Sequence, residues 1–314
     1  MRIFLAGATG VVGKHLIPLL RGAGHVVIGT TRSPEKAEHL SAQGVQPEIL
    51  DALDRQATVR AVMRARPDAI VHQLTAIPPN LNLRRFDREF ALTNRLRTEG
   101  TDNLLAAARA AGVRRVVAQS FAGWTYERAG GPVKTEEDPL DPDPPPGFRR
   151  TLDAIRYLEA ALQAADHIQT TTLRYGWFYG PSTSLGRGSV LLDAIRRRQM
   201  PIVGNGGGIW SFTHIADAAA ATLAALQRGS TGIYNVADDD PAPVREWLPF
   251  LACAIDAPPP RRVPAWLARM VIGNQGIVVM TESRGCSNAK AKTALDWRPR
   301  YPSWRTGFIE GLGS

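Results

Sequence analysis

Lysine is scarce in this sequence, although basic residues outnumber acidic ones. Only five of the 38 lysine and arginine residues are lysine, and 29 acidic residues leave a formal charge of +9. The arginines form scattered pairs and one triplet, Arg196 to Arg198, without interleaved aromatic side chains. Nucleic-acid-binding proteins usually concentrate basic residues on one surface, so this scatter argues against DNA or RNA as a partner.

Cysteine and long apolar runs are also rare. The two cysteines, Cys253 and Cys286, form no CxxC motif and no ligand-like spacing with the six histidines. We therefore expect neither a disulfide framework nor a metal site. Lys14 and three glycines interrupt the apolar segment 1–20, which is untypical of a secretory signal, and no segment reaches the length of a membrane span. These features predict a cytoplasmic protein with no membrane partner.

What is present in the first half is a regular alternation of strand-like and helix-like segments. Short β-branched runs such as 25–32 and 114–120 alternate with longer helical patterns, which predicts an α/β fold with a Rossmann-type, doubly wound parallel sheet. Beyond Tyr179, turns, short strands and proline-rich helices dominate. This change predicts a smaller C-terminal lobe over the carboxyl ends of the strands, where open α/β sheets bind ligands.

The same changes in sequence pattern predict the domain boundaries. We assign residues 1–178 to a dinucleotide-binding domain that is rejoined by about 209–237, and residues 179–208 and 238–314 to a smaller substrate-binding lobe. Residues 128–147 are rich in proline, glycine and acidic residues, and strand and helix alternation resumes directly after them. They therefore predict a surface loop rather than a linker.

A glycine-rich motif, GATGVVG at 7–13, lies directly between the first predicted strand and the first predicted helix. In this context Gly7 permits a tight turn, Gly10 allows backbone to approach a pyrophosphate, and Gly13 allows close packing of helix on strand. The helix N-terminus adds N–H donors and partial positive charge. The motif predicts a dinucleotide site, and a glycine turn without a ligand is the alternative.

The end of the second strand indicates which dinucleotide binds. A carboxylate there usually holds a free ribose 2′-hydroxyl, whereas an arginine favours a 2′-phosphate. The strand ends in Thr-Thr-Arg32-Ser, and Lys36 follows, which predicts NADP in preference to NAD. A surface charge would also explain Arg32, but not the missing acid. Asp51 is placed to bond an adenine amino group with Ala52 lining the ring, or is a plain loop aspartate.

Five motifs together resemble the extended short-chain dehydrogenase/reductase fold of the NAD-dependent epimerase/dehydratase family. They are GATGVVG at 7–13, VVAQSFAGW at 116–124, LRYGWFYGP at 173–181, SFTHIADAAAATLAAL at 211–226 and SNAKAKTALDWRP at 287–299. They span nearly the whole chain in the family's order. The resemblance implies an NADP(H)-dependent oxidoreductase or an epimerase/dehydratase-like enzyme that acts on a hydroxy or carbonyl metabolite.

The resemblance also implies roles for individual residues. Ser120 corresponds to the active-site hydroxyl that bonds the substrate oxygen, and Asn94 resembles a structural asparagine. The positions implied to contact the cofactor's pyrophosphate are Gly7, Thr9, Gly10, Val11, Val12 and Gly13, and those implied to line the path to the nicotinamide ribose are Leu74, Thr75 and Ala76.

One central feature of the family is missing. Its members carry a tyrosine with a lysine four residues later, and the lysine lowers the phenol pKa for general base catalysis. None of the five lysines has a tyrosine four residues before it. Alignment of the helix on Glu159 puts Thr151 at the tyrosine position and Ile155 at the lysine position. The sequence is therefore an atypical member, in which another group must carry the proton if redox chemistry survives.

Two tyrosines are candidates for that proton donor. Tyr126 lies six residues after Ser120 on the loop leaving the fifth strand, and Tyr175 lies nearer the nicotinamide by resemblance. For each, an amphipathic wall residue with a satisfied hydroxyl is an equal alternative. A second class of function therefore stays open, a cofactor-binding protein without net redox turnover, either an isomerase or cyclase template or a redox sensor.

Aromatic residues near the expected cleft favour an apolar or aromatic small-molecule substrate over a nucleotide sugar, unless they belong to the core. They are Phe121, Trp124, Trp177, Phe178, Trp210 and Phe212. The family commonly dimerises through the helices near 94–111 and 151–165, so a homodimer is possible. The apolar face of the second helix, which includes Leu152 and Leu162, is consistent with either core or interface.

Overall fold

The computed structural model describes residues 1–78 and 81–313, and its centre is a seven-stranded parallel sheet. The spatial order of the strands is β12-β7-β5-β4-β1-β2-β3. In chain order these strands are β1 Arg2–Ala6, β2 Val26–Thr31, β3 Gln46–Ile49, β4 Ala69–His72, β5 Arg115–Phe121, β7 Gln169–Tyr175 and β12 Gly232–Val236. The order reverses between β1 and β4, which places a crevice at the carboxyl ends of these two strands.

Helices cover both faces of this sheet. One face carries α1 Val11–Gly22, α2 Pro34–Ala42 and α9 Ile215–Arg228, and the other carries α3 Arg55–Ala65, α6 Glu99–Ala111 and α7 Arg149–Gln163. Side chains along β1 point alternately to the two faces, so both faces need a cover. Ile3 and Leu5 pack into the core on the first face, and Phe4 and Ala6 into the core on the second. The predicted doubly wound α/β fold is confirmed.

Shorter elements complete the chain. Between β4 and α6 lie α4 Phe86–Glu89 and α5 Ala91–Arg97; the later helices are α8 Val190–Arg196, α10 Val244–Ala254, α11 Ala265–Thr281, α12 Ala289–Ala294 and α13 Trp304–Glu310. The short strands are β6 Val133–Lys134, β8 Trp177–Tyr179, β9 Ile202–Val203, β10 Ile209–Trp210, β11 Phe212–His214, β13 Ala242–Pro243, β14 Arg262–Val263 and β15 Gly285–Cys286. They pair in four two-stranded sheets. Residues beyond β8 thus join Phe86, Phe90, Trp124 and Phe148 in an aromatic core around Trp247 and Trp304.

Helix α7 buries its apolar face inside the chain. Leu152, Ile155, Leu158 and Leu162 are each at most 1% exposed, so these positions belong to the core. Within the described ranges, no helix combines the length and apolarity that crossing a membrane requires.

Candidate functional site

The glycine loop between β1 and α1 is packed too closely for side chains. Gly7 has φ +95°, and a Cβ there would lie 2.5 Å from the carbonyl oxygen of Gln73. A Cβ on Gly13 would lie 2.5 Å from the carbonyl oxygens of Gly7 and Ala8. Only glycine tolerates these approaches, because both obstacles are backbone atoms. Gly7 and Gly13 therefore fix the loop against β4 and the start of α1.

The N-terminus of α1 has features that favour binding of an anion. Its N-cap is Gly10, no side chain caps the helix, and its first turn holds no acidic residue. The first N–H groups of a helix have no partner within the helix and carry partial positive charge. Thr9 and Val11 are half-buried beside this turn, and Val12 is buried beneath it. The loop and the uncapped helix together present backbone N–H donors of the kind that bind phosphate groups.

The end of β2 carries an exposed basic rim. Thr30 is buried, and its Oγ1 accepts a hydrogen bond from the Gly7 N–H at 3.1 Å, which ties β2 to the glycine loop. Arg32 follows directly and is exposed, as is Lys36 in the first turn of α2. Ser33 caps α2 by accepting from the Lys36 N–H. Neither basic side chain forms an ion pair with a residue in 1–78 or 81–313, so both charges are available to a ligand.

Asp51 and Ala52 follow β3 next to this rim. Asp51 is exposed, and its Oδ1 accepts from the Leu53 N–H at 3.0 Å. Ala52 is buried, and its carbonyl accepts from the Asn103 amide at 2.9 Å. The second Asp51 oxygen keeps its lone pairs for another donor. The adenine role of this pair remains a prediction.

The segment after β4 borders the crevice on its other side. The Leu74 N–H donates to Nδ1 of buried His72 at 3.3 Å, and the Ala76 N–H donates to Thr93 at 3.0 Å. Thr75 between them is exposed. Two anchored backbone groups thus hold the Thr75 side chain outward, where the nicotinamide ribose is predicted to bind.

Ser120 ends β5 in a buried ionic network. Its hydroxyl donates to Oε1 of Glu159 on α7 at 2.7 Å, and Arg174 on β7 binds both Glu159 oxygens at 2.8 and 2.6 Å. The side chains of Glu159 and Arg174 are 6% and 5% exposed. A serine has one proton to donate. In this structure Ser120 can therefore accept a hydrogen bond from a substrate but has no proton free for it.

Tyr126 belongs to the same network and is not placed as a proton donor, contrary to the prediction. It is 1% exposed, donates to the Asn235 side chain at 2.6 Å, and accepts from Arg174 at 3.0 Å. Burial raises the pKa of this phenol well above its usual range. Ser120, Tyr126, Glu159, Arg174 and Asn235 are called the Glu159 network below.

Tyr175 is likewise misplaced for catalysis, so that prediction is corrected too. The side chain is 1% exposed and packs in the core on the α9 side of the sheet. Its hydroxyl shares a hydrogen bond with Thr222 on α9 at 2.7 Å and accepts from Gln73 at 3.2 Å. Burial raises the pKa of Tyr175 to about 12. The sequence could not show which face of β7 this residue occupies.

The Thr151 hydroxyl at the start of α7 also has no proton available for a substrate. Thr151 is buried, its hydroxyl donates to Asp87 at 3.0 Å, and it accepts from Asn94 at 3.1 Å. Asp87 also accepts from the N–H groups of Arg150 and Thr151, so it caps the helix in place of a local side chain. Ile155, one turn on, is apolar. No titratable group thus occupies the two positions that the family uses for acid and base.

The aromatic residues divide into core and cleft. Trp124, Trp210 and Phe212 are at most 4% exposed, and the Trp210 indole donates to the Val279 carbonyl. These three belong to the core, which weakens the substrate argument that rested on them. Phe121, the last residue of β5, and Trp177, the first residue of β8, are half-buried, with ring centroids 5.2 Å apart. Phe178 is also half-buried, but it packs toward α9.

Arg97, the last residue of α5, is a polar residue of this region that the sequence argument missed. It is 7% exposed, and its Nη1 is buried without a hydrogen-bond partner in the described chain. A signal was present, because residues 90, 93, 97, 101 and 104 recur at helical spacing and all but Arg97 are apolar or small. An arginine on such a face is one that the fold must bury.

Comparison with known proteins places this site in a family. The model of the NAD dependent epimerase/dehydratase family matches residues 3–237. A 3-diazoavenalumate denitrifying reductase from a Streptomyces species is 43% identical over 311 residues, which are 98% of this chain and 99% of that protein.

Two more distant similarities agree. A 4-hydroxy-2-methyl-3-oxo-4-farnesyl-3,4-dihydroquinoline-1-oxide ketoreductase from Stigmatella aurantiaca is 32% identical over 80% of this chain and 72% of its own length. The crystal structure of a UDP-glucose 4-epimerase from Thermotoga maritima shares the fold at 21% identity, with a TM-score of 0.76 over 99% of this chain and 97% of that one. The chain therefore belongs to the NAD dependent epimerase/dehydratase family, within the extended short-chain dehydrogenases/reductases.

Proposed function

We propose that the protein is an NADPH-dependent reductase that replaces the nitrogen group of an aromatic or conjugated diazo compound with hydrogen. The observation that carries this proposal is a cleft without an available proton donor. Ser120 and Thr151 donate to Glu159 and Asp87, and Tyr126 and Tyr175 are buried. A relative similar over nearly the whole chain bears the name of a denitrifying reductase of a diazo substrate, which supports this reaction class.

The residues present are suited to hold NADPH. The glycine loop and the uncapped N-terminus of α1 would bind the pyrophosphate, and Arg32 with Lys36 would bind the 2′-phosphate. Asp51 would accept from the adenine amino group, beside Ala52. Leu74, Thr75 and Ala76 would flank the nicotinamide ribose, and Asn94 would position Thr151 rather than contact the cofactor directly.

The reaction class explains why a proton donor is dispensable. When bound, NADPH supplies a hydride. If the hydride forms the new C–H bond to a diazonium carbon, the C–N bond breaks, its electron pair leaves with dinitrogen, and charge balances as R–N₂⁺ plus hydride gives R–H plus N₂. No oxyanion forms, so no acid is needed to protonate one. A carbonyl reduction, in contrast, leaves an alkoxide that a donor must neutralise.

The chain's own contribution is therefore positioning and exclusion of water. Phe121 and Trp177 expose aromatic edges and faces at the carboxyl end of the sheet, which suit a flat conjugated substrate. Ser120 presents lone pairs rather than a proton. An electron-rich oxygen beside a cationic diazonium group is favourable in such a site. Buried Ile155 stands where the family otherwise carries a charged lysine, so that position supplies neither an acid nor a base.

Turnover with matched substrates tests the proposal. The purified protein is mixed with NADPH and 4-hydroxybenzenediazonium, and in parallel with cinnamaldehyde. We expect protein-dependent loss of nicotinamide absorbance only with the diazonium salt, and deuterium on the ring carbon when deuterated NADPH is used. Reactions without protein give the spontaneous rate. Reduction of the aldehyde alone would contradict the proposal, whereas NADPH binding without turnover of either substrate would favour the non-redox alternative.

Cofactor choice is tested separately by binding. Arg32→Ser should weaken NADPH binding about tenfold, which is about 1.4 kcal/mol, and leave NADH binding unchanged, because only NADPH carries the 2′-phosphate. Arg60→Ser is the matched control, since Arg60 is also an exposed arginine but lies on α3. Nicotinamide fluorescence titration measures each dissociation constant. Equal loss of affinity for NADPH and NADH would contradict the assignment.

A further inference from the structure

Arg97 is a buried cation whose charge the rest of the chain does not use. Its guanidinium carbon lies 5.9 Å from the Phe90 ring centroid, and its charge interacts with Glu159 on α7 and with His72, the last residue of β4. The residue is 7% exposed, and none of the hydrogen bonds formed by the described residues starts at its guanidinium nitrogens. Burial lowers the pKa of Arg97 to about 10, so it is still charged at neutral pH. A buried ion without a partner is strongly unfavourable unless a further group compensates it.

The obvious partner is already occupied. Glu159 attracts Arg97 electrostatically, but its two oxygens are held by Arg174 and Ser120. His72 nearby is fully buried, and burial lowers its pKa to about 4, so it is neutral at pH 7. The Arg97 guanidinium is thus hydrogen-bonded neither to Glu159 nor to Asp87, the carboxylate that binds Thr151.

A second polar atom in the same region is also without a partner. Oδ1 of Asn94, one turn before Arg97 on α5, is buried and accepts no hydrogen bond, while the Asn94 amide nitrogen is held by Thr151. Asn94 Oδ1 is an acceptor and Arg97 Nη1 is a donor, but they do not bond each other. A water molecule could engage both, whereas an anionic oxygen without a proton could bind Arg97 alone.

We propose that Arg97 binds an anionic oxygen of the substrate, a carboxylate or phenolate of an aromatic acid or phenol, behind Ser120. This inference rests on the proposed function for its substrate class. A guanidinium presents five N–H donors, and carboxylates and phenolates match both its charge and its geometry. The guanidinium would gain a hydrogen-bonded counter-ion only when substrate is bound. A neutral substrate of the same shape would leave it without one, so the residue would determine specificity.

The cofactor is the less suitable occupant. Its anionic groups are expected at the glycine loop and at Arg32, on β1 and β2, whereas Arg97 lies toward β5 and α7 on the opposite side of β4. The ribose and nicotinamide carry no negative charge. Arg97 should therefore affect binding of anionic substrates and leave NADPH binding unchanged.

Paired probes that differ only in charge test this inference without turnover. Calorimetry in saturating NADP⁺ measures binding of cinnamate against cinnamamide, and of 4-nitrophenolate against 4-nitroaniline. We expect the wild-type protein to bind the anion at least tenfold more tightly in at least one pair. Arg97→Met should abolish that preference, and Arg97→Lys should restore part of it. Arg95→Met is the matched control, because Arg95 is on the same helix but is exposed and paired with Glu99.

Several results would overturn the inference. One is a wild-type protein that does not prefer the anion in either pair, which needs no variant to be folded. Another is an Arg97→Met variant that keeps the preference, and a third is a loss of NADPH affinity equal to the loss for the anion. Because binding of the probes does not depend on hydride transfer, failure of diazonium reduction would leave this result interpretable.

Discussion

The two ends of the cleft differ in whether their polar groups are hydrogen-bonded within the protein. At the dinucleotide end, the first turn of α1 has no side-chain cap, and Arg32 and Lys36 are exposed without ion pairs in the described chain. At the Ser120 end, almost every polar atom of the Glu159 network is bonded to another residue of the protein. The donors without a partner at the first end are available to a ligand, whereas the hydrogen-bonded groups at the second end stabilise the fold.

This difference shows how a family fold changes its chemistry. The first end carries the groups that we assign to a dinucleotide. At the other end most polar groups bond to one another, and the buried polar atoms without a partner in the described chain include Arg97 Nη1, Asn94 Oδ1 and Asn235 Nδ2. Three predictions probe the contrast, beginning with the largest effect.

Glu159→Gln should destabilise the protein by about 3–5 kcal/mol, because Arg174 would remain buried without its counter-charge. Glu99→Gln makes the same change in the exposed Arg95–Glu99 pair of the helix surface and should cost less than about 0.5 kcal/mol. Denaturant unfolding followed by tryptophan fluorescence measures both. Similar losses for the two variants would show that the Glu159 network is not the more tightly coupled region.

Acid should weaken the fold through His72. Its pKa is about 4 when folded, against 6.5 when unfolded, because burial disfavours the charged ring. As the pH falls below 6.5 the unfolded chain gains the proton first, so stability declines between pH 6.5 and 4 by about 3 kcal/mol from this group.

His72→Gln should flatten that part of the stability curve, whereas His39→Gln, at an exposed position on α2, should leave it unchanged. Unfolding free energies measured across this pH range give the difference between the variants. Parallel curves for wild type and His72→Gln would contradict the assignment.

Tyr126→Phe should cost about 1–3 kcal/mol of stability, because Asn235 and Arg174 each lose a partner. It should leave the rate of NADPH oxidation unchanged, as should Tyr175→Phe. Turnover and denaturation are measured on the same preparations. A variant that binds NADPH normally, unfolds normally and has lost turnover would identify its tyrosine as a proton donor after all.

The sequence was sufficient for the fold and for the conformation of the glycine loop. The continuous apolar run of β1 and the glycine spacing at 7–13 are local patterns, and both lead directly to the observed strand, turn and helix. The NADP preference rests on Arg32, whose position after β2 is also local. It remains a prediction until binding is measured.

The catalytic end could not be predicted in the same way. Whether Ser120 donates to a substrate or to Glu159 depends on a side chain 39 residues away, and whether Tyr175 faces the cleft depends on the register of β7. The missing tyrosine and lysine were visible in the sequence. What replaced them was not, because hydrogen-bond direction is a property of the packed structure.

The Glu159 network also bears on how long the folded state persists. It joins side chains as far apart as Tyr126 and Asn235, 109 residues along the chain, through the central strands β5 and β7. We expect such contacts to close only after those strands have paired, and therefore after the folding transition state. Losing them should then accelerate unfolding and leave the folding rate nearly unchanged, a split that stopped-flow kinetics of Tyr126→Phe would reveal. The Glu159 network would in that case slow the unfolding of the chain, and with it the loss of the glycine loop at the other end of the cleft.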